Sequence, residues 1–163
     1  MKTILFARHA KSNWNEAGIS DFERPINEKG ERDVHKMAKY LQQCGYLIHE
    51  ILSSDATRAV TTAEEYKKQL TPDMPVVLNH SIYQATHLDI IEIIKTLSEK
   101  KSTVMIVGHN PTMTDIVNYY TEDDVIDMPS CSVAIVQFEA SNWNDLKTGS
   151  GDLLAFEYPK KHN

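Results

Sequence analysis

Two arginines and two histidines stand at places in this sequence where buried strands should end. Arg8 and His9 follow the apolar run 3–7, which is too short for a helix and typical of a buried strand. His109 follows a second apolar run. Arg58 lies in the first turn of a helix that is predicted to follow a third strand. Because ligands in open α/β sheets bind just beyond the carboxyl ends of the strands, we expect these four side chains to face one crevice.

These residue types favour the chemistry of phosphoryl groups. A guanidinium presents a planar fork that binds two phosphate oxygens at once, and an unprotonated imidazole can attack phosphorus to form a covalent phosphoenzyme. Taken alone, Arg8 and His9 would also fit a surface salt bridge beside a capping histidine. The second pair, Arg58 and His109, favours a phosphate site instead.

Four short motifs, in this order, resemble the histidine phosphatase superfamily, which has the phosphoglycerate mutase-like fold. They are Arg-His-Ala at 8–10, Asp-x-x-Arg-Pro-Ile at 21–26, Ser-Ser-x-x-x-Arg-Ala at 53–59 and Gly-His-Asn-Pro at 108–111. The second of these is similar to a segment of the small SixA-type phosphohistidine phosphatases. The resemblance spans most of the chain.

The resemblance implies a phosphatase that works through a covalent phosphohistidine intermediate. It implies that His9 is the nucleophile, that Arg8 and Arg58 hold the equatorial oxygens, and that His109 donates a further hydrogen bond to them. The arginines and His109 would take the electrostatic part that magnesium plays elsewhere, so we expect no metal and no cofactor.

Two further residues are candidates for phosphate binding. The segment 8–15 is similar to the mutase version of the first motif, in which an asparagine lines the phosphate pocket, and Asn15 stands at that place. A turn asparagine is the alternative. Ser12 is predicted either to bind phosphate or to cap a turn.

The sequence offers two candidate proton donors for the leaving group, Asp21 and His80. His80 stands where the mutase branch has a glutamate, and Asn110 stands where the acid-phosphatase branch has an aspartate. A salt bridge to Arg24 is the alternative role for Asp21. A site without a dedicated carboxylic acid favours phosphohistidine, because a phosphorylated imidazole leaves far more readily than an alkoxide.

Length and composition limit the classes of protein to consider. The 163 residues are 41% hydrophobic and 25% charged, which is ordinary for one globular domain, and the net charge of −6 argues against nonspecific binding to nucleic acid. No signal peptide or membrane span is evident, so we expect a cytoplasmic protein. The two cysteines, Cys44 and Cys131, are expected to be buried free thiols, and the seven histidines show no HxH or HExxH spacing.

Strand-like and helix-like segments alternate until the last third of the chain. We therefore predict an α/β three-layer sandwich, with a mostly parallel central sheet, helices on both faces and an antiparallel pair at one edge. The first helix should begin after Asn27 as N-cap and end at Gly45. Gly30, inside its first turn, indicates close approach of a neighbouring backbone. The whole of 1–163 should form a single histidine phosphatase domain without a cap domain.

The predicted function is removal of a phosphoryl group, most simply from protein phosphohistidine. The substrate is then a phosphorylated protein or a small phosphorylated molecule, with no nucleic acid or membrane involved and no prediction of oligomeric state. A broad-specificity phosphomonoesterase of the same superfamily and a noncatalytic phosphate-binding module are the alternatives.

Overall fold

The computed structural model describes residues 1–14, 17–125 and 127–163. Asn15, predicted to bind phosphate, lies outside the described residues. The strands are β1 (Lys2–Arg8), β2 (Glu50–Ser53), β3 (Val77–Leu78), β4 (Thr103–Gly108), β5 (Val133–Phe138) and β6 (Asp152–Glu157). The helices are α1 (Glu28–Cys44), α2 (Thr57–Leu70), α3 (His87–Lys95) and α4 (Thr112–Tyr120).

The strands form one mixed sheet in the order β3-β2-β4-β1-β5-β6. Strands β1 to β4 pair in parallel, whereas β5 runs antiparallel to both β1 and β6. The predicted parallel sheet with an antiparallel edge is therefore confirmed. The register of β1 with β4 sets Arg8 opposite Gly108, so His9 and His109 leave two neighbouring strands at the same level.

Helices cover both faces of the sheet, and the side chains of the central strands are buried beneath them on each side. Ile4 and Phe6 of β1 belong to the core beneath α3 and α4, whereas Leu5 and Ala7 belong to the core beneath α1 and α2. This alternation is what a strand with a two-residue side-chain period produces between two helical layers. The sheet is thereby fixed from both sides, and so are the strand ends that carry the site.

Helix α1 begins and ends as its sequence predicts. The side chain of Asn27 accepts a hydrogen bond from the Gly30 amide at 2.8 Å, and Gly45 ends the helix in the left-handed conformation with φ 77°. A Cβ at Gly30 would lie 2.3 Å from the carbonyl oxygen of Lys11. The predicted close approach is thus confirmed, and it packs α1 against the loop that leaves β1.

One of the two cysteines differs from expectation. Cys131 is buried, but Cys44 is exposed, since the last turn of α1 presents it away from the core. Both are free thiols. No helix within 1–14, 17–125 and 127–163 is long and apolar enough to cross a membrane.

Candidate active site

The ends of β1 and β4 and the start of α2 bring the four predicted residues to one place. The ring centroids of His9 and His109 lie 5.1 Å apart. The amide of His9 donates to the carbonyl of Gly108 at 3.1 Å, which ties the end of β1 to the end of β4. His9 is 8% exposed and Arg58 is 5% exposed. We call Arg8, His9, Arg58 and His109 the cationic cup.

The tautomer of His9 follows from its backbone neighbour. Its Nδ1 lies 2.8 Å from the carbonyl oxygen of Ala10. A carbonyl can only accept, so Nδ1 carries the proton and the lone pair is on Nε2. Burial lowers the pKa of His9 to about 3, and the positive charges of Arg58 and Arg8 act in the same direction. The ring is therefore neutral at physiological pH, with the nitrogen a nucleophile needs.

The second histidine is oriented by a serine. His109 Nε2 lies 2.8 Å from the hydroxyl oxygen of Ser54, which also accepts a longer bond from the Ala56 amide. Burial, followed by the charge of Arg58, lowers the pKa of His109 to about 4, so this ring is neutral as well. If the Ser54 hydroxyl donates its proton to Nε2, Nδ1 of His109 is left as an N–H donor.

Three nitrogens of the cationic cup are buried without a hydrogen-bond partner among the residues described: Arg8 Nε, Arg58 Nε and His109 Nδ1. The far ends of the arginines are anchored, since Arg8 Nη1 donates to the carbonyl of Met128 at 2.7 Å and Arg58 Nη1 to that of Asp21 at 2.6 Å. Buried polar groups nearly always have partners. Two orphan guanidinium donors beside a neutral imidazole, joined by Nδ1 of His109 when Ser54 donates to Nε2, therefore indicate a site for an oxyanion.

Asp21 does not match the proton-donor hypothesis. Its carboxylate accepts hydrogen bonds from the Tyr83 hydroxyl (2.7 Å), from Arg58 (3.2 Å) and from Arg24 (3.1 Å). The Tyr83 bond first, and then the arginine charges, hold the pKa of Asp21 at about 2 against the opposing effect of burial. An ionised carboxylate has no proton to give at neutral pH. The structure instead favours the alternative, a salt bridge to Arg24, and adds the bond to Arg58.

His80 remains the other candidate donor. Its Nδ1 lies 2.9 Å from both carboxylate oxygens of Asp55, so this nitrogen carries a proton and the ring orientation is fixed. Asp55 stands just before α2, but no side chain caps that helix. The ring of His80 packs 5.8 Å from the ring of Tyr83, which in turn lies 5.6 Å from His109.

Ser12 lies beside Arg24, whose Nη1 donates to its hydroxyl oxygen at 2.7 Å. Phosphate binding by Ser12 stays a prediction that this contact does not favour. Among the residues described, no three His, Cys, Asp or Glu side chains are grouped so as to hold a metal ion.

Sequence reasoning missed the groups that orient the histidines and arginines. Backbone carbonyls of Ala10 and Met128 carry no sequence signal, because any residue supplies them. Ser54 did carry one, since it lies within the motif that also contains Arg58, but its partner is 55 residues away in sequence.

Comparison with known proteins relates this sequence to one superfamily. The sequence profile of the histidine phosphatase superfamily (branch 1) matches residues 4–82, a range that holds Arg8, His9 and Arg58. An uncharacterised chloroplast protein of Arabidopsis thaliana is 30% identical, over 92% of this chain and 72% of that protein. An uncharacterised protein of Mycobacterium tuberculosis is 26% identical, over 94% of this chain and 99% of that protein.

One solved structure shows the same fold over the whole length. The protein histidine phosphatase SixA complexed with tungstate matches with a TM-score of 0.84 at 20% identity, covering 99% of each chain. The predicted phosphoglycerate mutase-like architecture without a separate cap domain is thereby confirmed.

Proposed function

The chain belongs to the histidine phosphatase superfamily, and from that premise we propose that it hydrolyses phosphohistidine in proteins through a phosphorylated His9. The observation that carries the proposal is the pair of buried, partnerless guanidinium nitrogens of Arg8 and Arg58, with the partnerless Nδ1 of His109, around the neutral imidazole of His9. Tungstate, an oxyanion, is bound by the SixA protein that shares this fold. Phosphate, sulfate and tungstate resemble one another in shape and charge, so the same cup suits a phosphoryl group.

The proposed first step is an in-line attack. The lone pair on His9 Nε2 forms a bond to phosphorus, the bond to the leaving group breaks, and the leaving atom keeps that electron pair. Arg8, Arg58 and His109 donate hydrogen bonds to the phosphoryl oxygens, where charge must be stabilised as the transition state forms. In the second step a water molecule attacks the phosphorylated His9, and the ring recovers its lone pair as inorganic phosphate leaves.

The leaving group decides which substrates such a site favours. Tyr83 and two arginines hold Asp21 as a carboxylate, and its lowered pKa makes it a poor source of a proton for an alkoxide. A phosphorylated imidazole departs as a neutral ring once its second nitrogen is protonated, which solvent or the fixed His80 can accomplish. The site therefore favours a phosphoramidate over an alkyl ester.

The loop that carries Asp21 also offers an exposed contact for a protein substrate. Trp14 is 74% exposed and lies in the loop that also carries Asp21. The guanidinium carbon of Arg24 lies 4.2 Å from the centroid of the Trp14 ring. Arg24 also binds Asp21, which binds Arg58 of the cationic cup, so this large exposed aromatic side chain offers a contact for a partner's surface. We expect the encounter to take place in the cytoplasm, and we expect neither metal nor cofactor to be required.

The test is a substrate panel with purified protein, in buffer with and without a chelator. We expect a phosphohistidine peptide to be hydrolysed with a higher kcat/KM than the matched phosphoserine peptide and alkyl phosphates, equally well in both buffers. His9→Ala serves as the inactive control. Faster turnover of alkyl phosphates would support the small-molecule phosphomonoesterase instead, and phosphate binding without turnover would support a noncatalytic module.

A further inference from the structure

Three aromatic rings that belong to neither core pack against one another beside the cationic cup, and one of them contacts the ring of His109. Phe22 comes from the loop between β1 and α1, and His80 and Tyr83 come from the turn after β3. We call these three residues the aromatic wall. The ring of Tyr83 lies 5.6 Å from that of His109 at 74°, and 5.0 Å from that of Phe22 at 79°. The ring of Phe22 lies 5.8 Å from that of His80.

The aromatic wall remains open to solvent. Phe22 and Tyr83 are half-buried and the side chain of His80 is 72% exposed, whereas the aromatic rings of the cores, such as Phe6 and Tyr120, are fully buried. A continuous series of rings therefore leads from His9, through His109 and Tyr83, to the surface. These three residues belong to neither of the two core clusters that cover the sheet.

Two rings of the aromatic wall are held by side-chain hydrogen bonds, and the third residue is held by its backbone. The Tyr83 hydroxyl donates to Asp21 at 2.7 Å, and His80 Nδ1 donates to Asp55 at 2.9 Å. The carbonyl of Phe22 accepts from the amide of Thr57, the first residue of α2, at 3.0 Å. Groups that are already ordered lose little conformational entropy when a ligand binds against them. The aromatic wall is thus preorganised to bind a planar ring.

We propose that the aromatic wall is the subsite for the leaving group and that it selects phosphoryl groups carried on a planar ring. The proposal rests on the proposed function, because it places the leaving group on the far side of phosphorus from His9. Aromatic rings prefer offset or edge-to-face contacts with other rings, and one such contact adds about 0.5–1.5 kcal/mol beyond the area it buries. That range corresponds to about a 2- to 12-fold preference per ring. A phosphorylated serine side chain offers no ring to the aromatic wall.

The first experiment compares Phe22→Leu with the wild type on three peptides of one sequence that carry phosphohistidine, phosphotyrosine or phosphoserine. Leucine keeps apolar volume but removes the ring. We expect the ratio of kcat/KM for the ring phosphates to kcat/KM for phosphoserine to fall about 2- to 12-fold. Phe156→Leu is the matched control, because Phe156 is also half-buried but lies on β6, two strands away from β1. Its ratio should stay at the wild-type value.

The second experiment measures binding without turnover. Dissociation constants of phenylphosphonate and methylphosphonate are determined for the wild type, Phe22→Leu and Phe156→Leu. We expect the phenyl compound to bind more tightly to the wild type and to Phe156→Leu, and Phe22→Leu to lose that preference while methylphosphonate binds all three alike.

The results separate the two proposals. Equal affinity of the wild type for phenylphosphonate and methylphosphonate, or an unchanged ratio in Phe22→Leu, overturns the role of the aromatic wall. Preference for the phenyl compound with no phosphorylation of His9 on any peptide overturns the proposed function and leaves the ring preference standing.

Discussion

Acidification should leave His9 as a neutral nucleophile well below the pH at which an ordinary histidine becomes protonated. Burial, with help from Arg58 and Arg8, lowers its pKa from 6.5 to about 3. Because the native pKa is the lower one, the folded state binds fewer protons than the unfolded state below pH 6.5. The stability that this neutral ring contributes is complete above pH 6.5 and is lost as the pH falls toward 3.

The expected difference is large at pH 5. An ordinary histidine of pKa 6.5 is about 76% neutral at pH 7 and only about 3% neutral at pH 5, a fall of about 25-fold. With a pKa of about 3, His9 stays about 99% neutral at pH 5. The nucleophile of the proposed reaction should therefore be fully available at pH 5.

The protonation state is best measured on the ring itself, because substrates of this class also titrate near pH 6 and would confuse a rate profile. Long-range ¹H–¹⁵N spectra of labelled protein distinguish the two neutral tautomers from the imidazolium. His9 signals, assigned with His9→Asn, should show the Nδ1–H tautomer unchanged from pH 8 to pH 5. In urea the same ring should titrate near pH 6.5. Titration of native His9 between pH 6 and 7, or a proton on Nε2, would refute the assignment.

Three further substitutions test the surroundings of the cationic cup. Ser54→Ala removes the hydrogen bond that orients His109, so kcat should fall about 10- to 100-fold with little change in KM. Ser54→Thr should restore most of the lost kcat. A loss of folding stability in Ser54→Ala as large as the loss of kcat would argue for a structural role. Gly30→Ala should lower the free energy of unfolding by about 1–3 kcal/mol in thermal or urea denaturation, because the added Cβ meets the Lys11 carbonyl; the gain in helix propensity alone would give the opposite sign. Asp21→Asn should lower the free energy of unfolding most above pH 4, because the pKa of this carboxyl is lower in the folded state than in the unfolded state. As the pH falls from 3.8 toward 2, the variant should become as stable as the wild type. Loss of the basic limb of the pH–rate profile in the variant would instead identify Asp21 as the acid.

The sequence predicted the part of the site that depends on strand order and local pattern. Arg8, His9 and His109 directly follow buried strands, and neighbouring parallel strands end at the same edge, so their convergence follows from the fold. The close approach of another backbone at Gly30 was predicted because a glycine inside a helix is unfavourable unless a neighbouring group leaves no room for a side chain. Both signals are local in sequence or set by the sheet.

The remaining features depend on pairs of residues far apart in sequence. Asp55 has the position of a helix cap but is bound by His80, 25 residues away. Asp21 is an ordinary loop aspartate until Tyr83, 62 residues away, donates to it and lowers its pKa. No periodicity or spacing encodes such a partner, because it depends on how two loops pack. The exposure of Cys44 likewise depends on how far α1 extends past the core.

The most direct test of the cationic cup as a phosphoryl acceptor is to find the phosphoryl group on His9. The protein is mixed rapidly with a phosphohistidine peptide or phosphoramidate, quenched at alkaline pH, where phosphohistidine survives, and analysed by mass spectrometry of its peptides. A transient phosphoryl group on His9, absent in His9→Ala, is the predicted result. Turnover of the substrate with no phosphorylated protein at any time, or with the group on another residue, would contradict the account.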